Sequence, residues 1–133
     1  MGEINMLAIF LAALAFFVIG MVWYGLLFGK IWQREAGITD GTIARGHNMA
    51  LIFVLAFLFE LLIALMLGHQ YARTNPSPRG LMMIATGFGA TIMAPAIGIN
   101  YLFQRKSWKL FAIDAGHLIV GMTAMGLVFL AFR

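Results

Sequence analysis

Apolar residues in this chain gather into four long runs instead of alternating with polar ones. The runs cover about Met6–Gly29, Asn48–Gly68, Leu81–Phe103 and Trp108–Phe132. Each reaches or exceeds the roughly 20 residues a helix needs to cross a bilayer. Runs of this length are far beyond strand length, and in lipid a helix satisfies its own backbone. The pattern predicts an all-α fold, a four-helix transmembrane bundle forming one membrane domain over residues 1–133. The polar connections are short. Asn75-Pro76-Ser77-Pro78-Arg79-Gly80 carries strong chain-reversal chemistry, and Gln104–Ser107 is a tight turn. The first run has no basic leader and no small-residue cleavage site after it, so it is expected to be a span and not a cleaved signal.

Composition sharpens this picture. Hydrophobic residues make up 62% of the 133 residues and charged residues only 11%, against about 25% charged in ordinary soluble domains. So few charges cannot coat a water-facing globule, which excludes a soluble domain. The absence of cysteine excludes disulfides and thiolate chemistry. The net charge of +4 reflects scarce acids and no basic patch, so no nucleic-acid partner is expected. The expected partner is the lipid bilayer, with a homo-oligomer as a further expectation because one small bundle has little room for a wide pathway.

Basic residues set the expected orientation. Lys30, Arg34, Arg45, Arg105, Lys106 and Lys109 flank the first and third connections, whereas Arg73, Arg79 and Arg133 lie with the termini. Six against three predicts both termini outside a bacterial cytoplasmic (inner) membrane. Trp23, Tyr24, Trp32, Tyr101 and Trp108 fall at the basic end, where aromatic anchors are expected.

Chemistry-bearing residues are few. Glu60 sits near the middle of the second run, where a charge costs several kcal/mol and must find a partner, water or a proton. Ile52, Ala56, Glu60, Ala64 and Gly68 recur every four residues, a face of mostly small side chains suited to a helix contact or a cavity. Glu60 therefore reads either as a proton- or cation-binding carboxylate or as a neutral acid bonded between helices. Asp114 and His117 share a helical face that Gly121 continues. Asn100 is at comparable height, and His47 and Asn48 open the second run on the same side. These residues could form a gate or relay, or a clamp in which Asp114 holds one tautomer of His117. Asp114 and His117 supply only two metal ligands, so no metal and no cofactor is expected. Pro95 interrupts the third run beside a Thr86, Ala90, Ala94, Gly98 stripe, and either kinks a packed helix or borders a cavity. Gly25-x-x-x-Gly29 suits close packing within the bundle or between copies. The ten methionines are scattered, as adaptable packing residues are. No nucleophile–base arrangement or nucleotide fingerprint is visible.

Two stretches echo each other: Tyr24-Gly-Leu-Leu-Phe28-Gly-Lys30-Ile-Trp32 and Tyr101-Leu-Phe103-Gln-Arg-Lys106-Ser-Trp108. A duplicated hairpin or shared interfacial composition would each explain this. The segment Trp23–Trp32, together with Asn100–Phe103 and Ser107–His117, also resembles the two signatures of a small, mostly bacterial membrane family catalogued as domain of unknown function 1761. The likeness covers nearly the whole chain. Leu26 stands where members often carry proline, and Gln104 where an acid often follows. The resemblance implies a four-helix membrane protein and brings no activity with it. The expected function is binding or passage of a small solute or ion along Glu60, Asn100, Asp114 and His117. The alternative is a non-catalytic accessory or assembly protein whose polar residues lock helices together.

Overall fold

The computed structural model describes residues 4–38 and 49–133, and no strand occurs among them. Helix α1 spans Met6–Val22, and its first turn is capped by the Asn5 side chain, which accepts from Ala8 N at 3.0 Å. A π-helical turn, Trp23–Leu27, continues the span until Phe28 leaves helical geometry. Helix α2 (Gly29–Ala36) then closes at Gly37, whose φ of 73° suits a residue without Cβ. Helix α3 covers Met49–Thr74. The third span is helix α4 (Pro78–Phe88), a π turn over Gly89–Met93, and helix α5 (Ala94–Phe103). Helix α6 runs Trp108–Ala131. Ser77 and Ser107 cap α4 and α6 by accepting from Gly80 N and Leu110 N, the role their position just before an apolar run favours.

Four spans are long and apolar enough to cross a membrane: Met6–Leu27, Met49–Thr74, Pro78–Phe103 and Trp108–Ala131. Large apolar side chains such as Phe59, Leu62 and Phe103 remain exposed, as a surface solvated by lipid tails allows. Helix α3 extends beyond its apolar run because its polar last turns still pack. Tyr71 donates to the Leu81 carbonyl at 2.7 Å, and its ring meets Phe129 edge-on at 5.2 Å.

Helices α1 and α6 form the central pair. Helix α3 packs on α1, and α4 and α5 pack on α6. The core joins Ala12 and Phe16 of α1, Leu67 of α3, Ala85 of α4, and Met122 and Met125 of α6. Gly121 makes the central pair possible, because a Cβ there would come within 2.6 Å of the Phe16 ring.

The two π turns set side-chain facing. An extra residue per turn shifts the inward face along a helix. In the third span the buried positions step from Leu81 to Ala85 to Gly89, then by five to Ala94. Ala90 is exposed, so the expected four-residue stripe breaks there. The wide turn also absorbs Pro95, which cannot donate to the Thr91 carbonyl. In the first span the wide turn occurs with Leu26 in place of proline.

Candidate functional site

Asp114 anchors the polar interior. It lies about 9 Å along α6 from Trp108 by helix rise and is 9% exposed. The hydroxyls of Tyr24 and Tyr101 each donate to one of its carboxylate oxygens. Beside it, Trp23 Nε1 donates to the Ile113 carbonyl at 2.9 Å. The π turn of the first span thus presents two consecutive aromatic side chains to α6. Three spans meet at one carboxylate: the first through Tyr24, the third through Tyr101 and the fourth through Asp114. Two hydroxyl donors satisfy a buried carboxylate far better than hydrocarbon.

His117, one turn further on, points the same way but is held differently. Its ring stacks edge-on against Phe16 and Tyr24, with centroids 5.1 and 5.0 Å apart. Its Nε2 is buried without a hydrogen-bond partner among the described residues. A Cβ on Gly20 would come within 3.0 Å of that nitrogen, so glycine there leaves room for the imidazole. Asp114 spends its oxygens on the two tyrosines, and no hydrogen bond joins it to His117.

Glu60 lies half-buried on α3, with Oε2 buried and no partner among the described residues. Its small-residue face splits in two. Ala64 and Gly68 pack into the core, while Ile52, Ala56 and Glu60 line a pocket of about 390 Å³ against α1. His117 lines the same pocket, so the second and fourth spans bring their ionisable groups to one space. A second pocket, about 520 Å³, is lined by Tyr101, Lys106 and Asp114. Tyr24, Trp32, Ile38 and His117 border both. Trp32, expected as an interfacial anchor, also borders both pockets.

A family model described as a protein of unknown function (DUF1761) matches residues 7–130. The chain belongs to this family. No curated protein and no solved structure matches it. DUF1761 membership and the four spans together make it a multi-span helical membrane protein.

The remaining sequence candidates fall elsewhere. Asn100 is exposed and lines neither pocket, and Pro95 is exposed beside its π turn. His47 and Asn48 lie outside the described residues. Among the described residues no group of three His, Cys, Asp or Glu side chains could hold a metal ion. Sequence reasoning missed Tyr24 and Tyr101 as partners of Asp114, although the Tyr-initiated echo pointed to both. It also missed the hydroxyl pair Thr86–Thr123, 2.9 Å apart across α4 and α6.

Proposed function

We propose that this DUF1761 protein binds, and passes between the membrane faces, a small solute or ion at the Glu60–His117 pocket. One observation carries this reading. Glu60 Oε2 and His117 Nε2, on different spans, line the same pocket and are both buried without a partner among the described residues. Two unsatisfied polar atoms in an apolar setting are costly, and intramembrane ionisable groups kept at that cost mark ligand or ion pathways. In this reading the second pocket, with Asp114 and Lys106, is the approach from the cytoplasmic side, and Tyr24 and His117 separate the two. Asn100 lies beside that approach at the end of α5. The protein resides in a bacterial inner membrane with both termini outside, and association of copies would widen the route.

The tyrosine–aspartate contact favours a second reading for its own part of the molecule. Asp114 is fully engaged by Tyr24 and Tyr101, which is how a helix lock looks. An accessory protein would need that lock and no more. The deciding experiment reconstitutes wild type and Glu60→Gln in proteoliposomes and measures binding and flux over a broad solute and ion panel. The transport reading expects activity in wild type that Glu60→Gln removes while the fold persists. Absence of binding and flux for every solute leaves the accessory reading.

A further inference from the structure

We infer that the Glu60–His117 pocket takes a small lipophilic amine in its protonated form, entering from the hydrocarbon side of the membrane. This rests on the binding reading above and names the class of ligand.

The lining argues for an organic body. Phe17, Tyr24, Trp32 and Phe53 contribute aromatic rings, and Met21 and Ile52 contribute aliphatic surface. A volume of about 390 Å³ lies within the range of small-molecule sites, and such sites combine apolar walls with a few placed polar groups. One aromatic ring with a short chain fits that space.

The polar atoms argue for the charge. Among the described residues of the lining, Glu60 is the only acid, and no lysine or arginine accompanies it. An anionic ligand would face that carboxylate without a compensating cation. A hydrocarbon would leave Oε2 buried and unpaired. An ammonium group supplies both a countercharge and N–H donors, and the faces of aromatic rings attract it further. Inorganic cations fit poorly, because Mg²⁺ and Ca²⁺ demand about six or more oxygen ligands and this lining is mostly hydrocarbon. Among the described residues, the other titratable groups lining the pocket are His117 and Tyr24, and the Tyr24 hydroxyl is already committed to Asp114.

The rim argues for the route. Ile52 and Phe53 line the pocket and are themselves exposed, so the pocket is open at this edge of α3 and not sealed by protein among the described residues. The pocket therefore borders the lipid-facing surface, where amphiphilic amines concentrate.

The test uses the full chain in lipid nanodiscs and three probes of similar shape, titrated calorimetrically: phenethylammonium, its neutral analogue propylbenzene, and phenylacetate. Phenethylammonium should bind at least about tenfold more tightly than either of the others, a difference of about 1.4 kcal/mol. Glu60→Gln should abolish that preference. Ala56→Leu, which fills the pocket and keeps the carboxylate, should weaken the binding of phenethylammonium. The selectivity in wild type decides the matter even where a variant folds badly. Equal binding of all three, or a preference for propylbenzene, overturns the amine while leaving a binding pocket in place. Binding of none overturns the amine as well, and the solute panel then judges the broader reading on its own.

Discussion

Tyr24 and Asp114 stand ninety residues apart in the chain and share a hydrogen bond in the fold. The same carboxylate accepts from Tyr101, so one acidic side chain ties together the first, third and fourth spans. Removing the acid strands two hydroxyls, whereas removing one hydroxyl leaves the acid its other donor. Asp114→Ala should therefore destabilise the protein by about 1–3 kcal/mol. Tyr24→Phe and Tyr101→Phe should each cost less, about 0.6–2 kcal/mol, the range for interhelical hydrogen bonds in membranes. Unfolding titrations in detergent measure all three. Equal stability of Asp114→Ala and wild type would remove the lock.

Packing gives a sharper contrast between two glycines. A Cβ at Gly121 meets the Phe16 ring at 2.6 Å, while a Cβ at Gly25 meets nothing within 4 Å among the described residues. Gly121→Ala should cost about 1–3 kcal/mol, as overpacking does, and Gly25→Ala should be silent in the isolated bundle. Thermal melts of the two variants check this. If Gly25→Ala shifts a detergent-resistant oligomer to monomer, Gly25 lies in the contact between copies, whereas Gly29, where a Cβ would collide with the Tyr24 carbonyl oxygen, is required within one chain.

Charge distribution makes a prediction about sidedness. The six basic residues flanking the first and third connections should hold Lys106 in the cytoplasm and place Arg133 outside. Impermeant labelling of single cysteines introduced at these two positions reads the answer directly. A label on the Lys106 position from outside the cell reverses the orientation and the side from which the Asp114 pocket opens.

Proton competition at Glu60 has a definite sign. A cationic solute and a proton both seek the carboxylate, so binding must weaken as pH falls and strengthen as it rises. Glu60→Gln cannot titrate, and the contribution of this residue to the pH dependence should vanish while stability stays within about 1 kcal/mol. Titrations of wild type and variant at several pH values compare the slopes. Parallel profiles in the two proteins would mean that another group carries the dependence.

Hydropathy made the spans legible, because length and apolarity alone decide what crosses a bilayer. Glu60 stood out for the same reason, as an acid with no neighbour in sequence to compensate it. The shared face of Asp114, His117 and Gly121 also followed from helical spacing: all three point toward the first span. Their partners did not follow. A tyrosine near a helix end looks the same whether it sits among headgroups or donates to a buried acid, so Tyr24 and Tyr101 read as anchors. The π turns were invisible to an apolarity count, since one extra residue per turn changes facing and leaves hydropathy untouched. That is why the Thr86–Gly98 stripe was expected to be continuous and breaks at Ala90.

Helix α3 is secured unevenly. All of its buried residues, Ala64, Leu67, Gly68 and Tyr71, belong to its second half, while near Glu60 it meets α1 through the edge-on ring contacts of Phe53 and Phe57 with Phe17. This uneven burial predicts that it moves as a door does, with Tyr71 as hinge and the aromatic edges as latch. Glu60 lies eleven residues from the hinge, so a swing of roughly 5° displaces it by about 1.4 Å at a lever arm of about 16 Å. Spin labels at the exposed positions Leu58 and Val120 should accordingly report a broader spread of separations than labels at Leu65 and Leu127. A broader spread at the first pair would make the width of the Glu60 pocket a mechanical variable, set in part by the lipid pressing on α3.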